Sequence, residues 1–207
     1  MDLDSSKNLG GVGAILLVVG TVGILGSGFV GILGLVGIIL VLIAMKGLAD
    51  YYKEGGIFNN ALYGFITIIV GGVAFVGVLV VSVLMAIATL PIDWTNPAEW
   101  PTMLQDLTDF GALWGLIGSI ILAVVVAFVF VIVSAIFYRK SFNLLAAKSG
   151  VNMFGIAGLL LLIGAVLTII LVGFVLMWIA FILLAVGFFS IKARITEHTP
   201  ATPSSPS

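Results

Sequence analysis

The stretch LGGVGAILLVVGTVGILGSGFVGILGLVGIILVLIAM, residues 9–45, decides the fold because it contains no charged side chain. A membrane-spanning helix needs about 20 apolar residues to cross a hydrocarbon layer about 30 Å thick. As one helix, these 37 residues would be about 55 Å long, which is too long for a single crossing. Gly26 and Gly28 interrupt the run near its middle. The sequence therefore predicts a hairpin of two short helices, at 9–26 and 28–46.

Apolar runs of the same kind fill most of the remaining chain. Of the 207 residues, 62% are hydrophobic and 8% are charged, whereas soluble domains have about 25% charged residues. This composition excludes a soluble enzyme, a nucleic-acid-binding domain and a disordered chain. Two longer runs predict helices at 59–90 and 109–138, and the run 154–191 predicts a second short hairpin that turns near Val172 and Gly173. We therefore expect an all-α membrane protein with six transmembrane helices, arranged as short hairpin, long central pair and short hairpin.

The domain organisation follows from these runs. Residues 1–195 are predicted to form a single polytopic transmembrane domain, and residues 196–207 to form a disordered tail rich in Ser, Thr and Pro. The segment 139–152 predicts a short surface helix with its lysines near lipid phosphates. Asn8, Asn59 or Asn60, and Asn152 precede apolar runs and are expected to cap helices there.

The two hairpin tips are apolar, and this leaves two alternatives open. A tip that reaches water is usually more polar than Gly26-Ser27-Gly28 or Leu171-Val172-Gly173. The hairpins 9–46 and 153–191 therefore either cross the membrane fully, which we favour by their length, or are re-entrant. Re-entrant backbone requires a protein cover.

The basic residues predict the orientation. In the six-helix arrangement all eight lie on one side of the membrane. They are Lys7, Lys46, Lys53, Arg139, Lys140, Lys148, Lys192 and Arg194. The opposite side, with the 91–108 loop and both hairpin tips, contains none. The positive-inside rule then places both termini in the cytoplasm and the 91–108 loop outside the cell.

The two hairpins also resemble each other. When residues 8–22 are aligned with residues 152–166, six of fifteen positions are identical. After a shift of one residue, Gly28-Phe29-Val30 aligns with Gly173-Phe174-Val175. We therefore expect an internal repeat of 9–46 and 153–191. Two intervening helices would give both copies the same orientation, as in a parallel repeat.

Small residues recur every four positions in the fourth predicted helix. They are Gly111, Gly115, Ser119, Ala123 and Ala127. At this spacing they share one helix face, and small residues let helices approach closely in membranes. The stripe predicts a helix-packing seam. We favour packing against another helix of the same chain over contact with a second copy.

The predicted spans offer little chemistry. They contain no Asp, Glu, Lys, Arg or His near the middle of the membrane, and the chain has no cysteine. Ion-coupled carriers usually need an ionisable group there. The few hydroxyl groups are Thr21, Thr67, Ser82, Ser119, Ser134 and Thr168, and such groups usually bond back to helix carbonyls. We expect no catalytic residue, no cofactor and no metal site.

Several segments resemble one family. They are KNLGGVGAILLVVG (7–20), KGLADYYKEGGIFNNALYGF (46–65), FNLLAAKSGV (142–151) and AGLLLLIGAVLTIILVGFVLMWIAFILLAVGFFSI (157–191). They are similar to a family of archaeal and bacterial polytopic membrane proteins that is classified only as a domain of unknown function. The resemblance covers residues 1–192 and implies a prokaryotic, archaeal cell-membrane protein. It implies no activity, ligand or site residue.

The leading functional hypothesis is a non-catalytic structural or accessory component of the membrane. The alternative is a small-solute channel or transporter at the interface of the two repeats. A cavity lined by several of the hydroxyl groups favours the alternative, and a sealed core favours the leading hypothesis. The expected partners are the lipid bilayer and either further copies of the chain or a larger membrane complex, and no nucleic acid.

Overall fold

A computed structural model describes residues 2–23, 28–89, 110–170 and 172–192 of the chain. The described part is all-helical, as expected. Its helices are α1 (Leu3–Gly23), α2 (Gly28–Tyr52), α3 (Gly55–Thr89), α4 (Phe110–Ser149), α5 (Met153–Leu167) and α6 (Val172–Phe189). A 3-10 turn, Thr168–Ile170, follows α5. The helices α2 to α6 contain stretches that are long and apolar enough to cross a membrane, which makes five candidate spans. The chain is therefore a multi-pass membrane protein.

Helix length divides the described helices into two groups. With 35 and 40 residues, α3 and α4 are about 52 and 60 Å long at 1.5 Å per residue. With 15 and 18 residues, α5 and α6 are only about 22 and 27 Å long. The long helices exceed the hydrocarbon thickness of about 30 Å, so they tilt or project beyond it.

The helix α1 begins several residues before its apolar run, because polar groups stabilise its first turn. The Asp2 carboxylate accepts a hydrogen bond from the backbone N–H of Ser5 at 2.8 Å. Hydrogen bonds from the side chain and the backbone of Ser5 lower the pKa of this exposed carboxyl below its usual range. The helix therefore begins at Leu3. Asn8 lies inside α1, and Asn59 and Asn60 lie inside α3, so the expected roles of these three residues as caps are wrong.

The expected surface helix at 139–152 is also wrong, because α4 continues to Ser149. No glycine or proline interrupts residues 139–149. The helix ends at Gly150, whose φ of +76° favours glycine. Asn152 does precede α5, but its side chain makes no capping hydrogen bond.

The turn of the second hairpin lies before the expected position. The 3-10 turn ends at Ile170, and α6 already begins at Val172. Gly173 is buried within α6, where an added Cβ would collide with the carbonyl oxygen of Gly164 in α5. Gly173 therefore serves close helix packing and not the turn.

The helices form a closed ring in which each packs against the next in chain order and α6 packs against α1. Glycines allow the close approaches. The backbone of Gly20 in α1 lies against Gly34 in α2, and Gly10 in α1 lies under the ring of Phe188 in α6. An added Cβ at Gly20 would lie 2.7 Å from the Gly34 Cα. The glycine-rich first hairpin is thus a packing interface, as its composition indicates.

Two tight turns meet at the end of the bundle that carries most of the charged residues. Lys53, between α2 and α3, has a φ of +52°. The ammonium group of Lys148 in α4 lies 3.0 Å from a carboxylate oxygen of the neighbouring Glu54. The same end contains large, fully buried side chains, which are Phe142, Phe154, Phe188, Met45 and Leu48. The best-packed core therefore lies near the charged end.

Three sequence expectations fall outside the described residues. They concern the first hairpin tip between α1 and α2, the whole of the 91–108 loop and the tail 196–207. The described helices end at Gly23 and resume at Gly28, on either side of the glycine-rich break.

Candidate functional site

A cavity of about 180 Å³ lies at the centre of the ring. Each of the six helices contributes to its wall. Examples, in chain order, are Leu17, Val41, Ile68, Tyr138, Leu161 and Phe181. The closing contact of α6 on α1 brings residues from both ends of the chain together here, so the cavity depends on the complete ring.

The cavity wall is almost entirely apolar. Ser134 and Tyr138, both on α4, are its polar side chains, and none of its lining residues is charged. The Ser134 hydroxyl donates a hydrogen bond to the backbone carbonyl oxygen of Gly64 in α3, at 2.8 Å. The Tyr138 ring stacks on Phe142, with centroids 5.9 Å apart. Its hydroxyl makes no hydrogen bond with any residue of the described ranges.

Most of the hydroxyl groups in the spans are used within their own helices. Four donate to the carbonyl oxygen four residues earlier, at 2.7–2.8 Å. These are Thr21, Thr67, Ser82 and Thr168. Ser134 is the one member of the six that lines the central cavity. The expectation of hydroxyls bonded back to helix carbonyls is thus confirmed for these four, whereas Ser134 joins two helices.

A second, shallower space adjoins the cavity. This groove between α3 and α4 has a volume of about 250 Å³. It shares Ile68 and Val131 with the cavity and continues past Phe75 and Ala127. On its far side an added Cβ at Gly72 would meet no atom within 4 Å. The groove therefore lies beside the cavity, between α3 and α4.

The predicted seam on α4 has a mixed environment. Ala123 is fully buried, and Ser119 and Ala127 are half-buried. Gly115 is exposed, and an added Cβ there would meet nothing within 4 Å. Gly111 lies in α4, but its surroundings fall outside what the structure describes. A packing role for the seam stays a prediction.

Ionisable groups form no centre in the described part of the chain. Within these ranges, no three His, Asp or Glu side chains lie close enough together to hold a metal ion. Within the described residues, acidic and basic side chains form ion pairs at the surface. Examples are Lys7 with Asp4 and Lys46 with Asp50. Such pairs contribute roughly 0–1 kcal/mol to stability. The cavity wall therefore offers apolar contacts and the hydroxyl groups of Ser134 and Tyr138, and no ionised group.

Comparison with known proteins identifies the family of the chain. The model of a family described as "Protein of unknown function (DUF996)" matches residues 33–182. The chain belongs to the DUF996 family. This DUF996 protein is also 28% identical over 191 residues to the uncharacterized protein MJ1644 of Methanocaldococcus jannaschii, covering 92% of this chain and 94% of that relative. The expected family of unknown function with an archaeal member is thus confirmed. No solved structure matches the chain.

Sequence reasoning did not find the cavity of this DUF996 protein. Tyr138 directly precedes Arg139 and Lys140, so by sequence it looks like an aromatic residue at the membrane interface. The spacing of Tyr138 and Phe142 places them on one helix face, and this was the available signal. The cavity itself could not be predicted, because it requires contacts between helices far apart in the chain.

Proposed function

We propose that this DUF996 protein is a non-catalytic structural or accessory component of the cell membrane. The observation that carries the proposal is the cavity wall, which contains one of the six hydroxyl groups of the spans and no charged residue. A polar solute that crossed here would lose its hydration without replacement partners, at a cost of several kcal/mol. The Ser134 hydroxyl already donates to Gly64.

We further propose that both hairpins cross the membrane, with both termini in the cytoplasm and the 91–108 loop outside the cell. The support is that the two short turns at 53–54 and 150–152 lie at one end of the bundle, joined by the Lys148–Glu54 ion pair. The basic residues near these turns satisfy the positive-inside rule in this orientation. With 18 residues, α6 falls within the range of about 17–25 residues found for transmembrane helices.

We also propose a parallel repeat of residues 9–46 and 153–191. Matched glycines have matching neighbours, which supports this proposal. Gly11 and Gly155 each face the helix that precedes theirs in the ring, since Gly11 lies against Phe189 in α6 and Gly155 against Ala146 in α4. Gly20 and Gly164 each face the following helix of their own hairpin. Rotation of one hairpin onto the other about the membrane normal would produce this relation.

A small-solute channel or transporter between the two repeats is the second candidate. The observation that favours it is the position of the cavity, with walls from both hairpins and from the long pair. The apolar lining restricts such a route to uncharged, weakly hydrated solutes. A channel of this kind would not need a carboxylate in the middle of the membrane.

Chemical cross-linking in native membranes, followed by mass spectrometry, tests the leading proposal. We expect reproducible cross-links from the charged end, for instance from Lys140 or Lys192, to one partner protein or to a second copy of the chain. A parallel assay measures the flux of small uncharged solutes into liposomes that contain the purified protein. Saturable flux without any reproducible partner would replace the accessory function with the transport function.

A further inference from the structure

We propose that the central cavity and the adjoining groove hold one hydrocarbon chain of a membrane lipid, fixed at one end by the Tyr138 hydroxyl. This inference assigns a ligand class to the cavity and goes beyond a role as a membrane component. It rests on the form of the cavity, on its polarity and on its position relative to the charged residues.

The form of the space suits a chain. The cavity of about 180 Å³ exceeds the engineered apolar cavity of about 150 Å³ that binds benzene. The groove of about 250 Å³ adjoins it, because both spaces have Ile68 and Val131 in their lining. The combined space is elongated along α3 and α4, since its lining on α4 runs from Phe142 to Ala127. A flexible chain fills such a shape with many weak contacts, each worth about 0.1–0.2 kcal/mol.

The polarity of the lining matches a hydrocarbon chain that ends in one oxygen atom able to accept a hydrogen bond. The groove has no polar side chain in its lining, and the cavity has only Ser134 and Tyr138. Because Ser134 donates to Gly64, the hydroxyl left to donate is that of Tyr138. Its match in a lipid is the ester or ether oxygen where the chain joins the glycerol.

The position of Tyr138 gives the lipid a direction. Arg139 and Lys140 follow it directly in α4, and basic residues at this depth attract anionic headgroups. The headgroup would therefore lie near this basic pair, with the chain pointing toward Phe75 and Ala127. The edge of the groove at Gly72 is open to the bilayer, because an added Cβ there would meet no atom within 4 Å. A chain can enter from the surrounding lipid by this route.

Photo-cross-linking tests the proposal. The full-length protein is reconstituted in vesicles of phosphatidylglycerol that carries a diazirine in one acyl chain, and the adducts are located by mass spectrometry. We expect adducts on cavity residues such as Ala135 and Leu161, in addition to outward-facing residues such as Ile121, which is 58% exposed.

Three variants sharpen the test. Ala165→Phe places a ring at a cavity-lining position that is 1% exposed, and it should abolish the cavity adducts while the Ile121 adducts remain. Ala88→Phe is the matched control, because Ala88 is exposed on α3, and it should leave both sets unchanged. Tyr138→Phe keeps the ring and should lower the cavity adducts roughly threefold through loss of one hydrogen bond.

The wild-type map decides the matter even if Ala165→Phe fails to fold. Adducts at Ala135 or Leu161 in the wild-type protein, which line the cavity and not the groove, support a chain inside the ring. Adducts confined to outward-facing residues, with none on the cavity wall, would overturn the proposal. Cavity adducts that persist at full yield in a folded Ala165→Phe protein would overturn it as well.

Discussion

The Ser134 hydroxyl of α4 donates a hydrogen bond to the backbone carbonyl oxygen of Gly64 in α3 over 2.8 Å. The bond is buried and links the two long helices beside the central cavity. Gly64 makes the approach possible, because an added Cβ would lie 3.0 Å from the ring of Tyr138. A glycine, a serine and a tyrosine thus join the helix pair to the cavity wall.

Ser134→Ala should destabilise the protein by about 0.5–1.5 kcal/mol, because it removes a hydrogen bond between helices. Ser82→Ala is the matched control, since the Ser82 hydroxyl donates to the carbonyl oxygen of Val78 within its own helix. Unfolding of the purified variants in mixed detergent micelles with increasing sodium dodecyl sulfate measures the difference. Equal unfolding midpoints for the two variants would show that the Ser134 hydrogen bond does not stabilise the helix pair.

The glycines of α1 should differ sharply from those of outer α3. At Gly20 an added Cβ would lie 2.7 Å from the Cα of Gly34, which is backbone and cannot rotate away. Gly20→Ala should therefore destabilise the protein by about 1–3 kcal/mol. Gly77→Ala meets nothing within 4 Å and should be neutral or stabilising by up to about 1 kcal/mol, since alanine favours the helix. Thermal unfolding in one detergent measures the difference. Gly20→Ala should unfold at a lower temperature than the wild-type protein, and Gly77→Ala at the same temperature or a higher one.

The seam on α4 yields a comparison between its two ends. Ala123 is fully buried, so Ala123→Leu should overpack the helix pair at a cost of about 1–3 kcal/mol. Gly115 is exposed with open space around it. Gly115→Leu should leave the stability of the isolated chain nearly unchanged.

The oligomeric state of the Gly115→Leu protein provides the control for this comparison. If a second copy covers Gly115, the substitution will change the mass measured by light scattering in detergent while the monomer stays folded. If instead Gly115→Leu unfolds a monomeric protein as strongly as Ala123→Leu does, the result would contradict the prediction that the two ends of the seam differ.

The sequence was informative about the number of helices and less so about their ends. The break at Gly26 and Gly28 and the lengths of the apolar runs predicted the six helices. The start at Leu3 and the extension of α4 to Ser149 were missed, because polar residues extend a helix into water without an apolar signal. Asp2 caps the start of α1. Residues 139–149 contain no glycine or proline, so α4 continues to Ser149.

The central cavity illustrates a different limit. Gly10 and Phe188 bring α1 and α6 together, and they are far apart in the chain. A glycine-rich helix predicts that something approaches it closely, but the pattern does not identify the partner. The cavity wall combines residues of all six helices, so neither its volume nor the place of Tyr138 in it follows from local periodicity.

Cysteine accessibility in intact cells tests the proposed membrane arrangement most directly, because the natural chain contains no cysteine. Single variants Thr95→Cys, Ser27→Cys and Ser204→Cys are treated with a membrane-impermeant maleimide. We expect labelling at position 95 in the outer loop, labelling at position 27 if the first hairpin crosses fully, and none at position 204 until the cells are opened. Labelling of position 204 but not position 95 in intact cells would contradict the account.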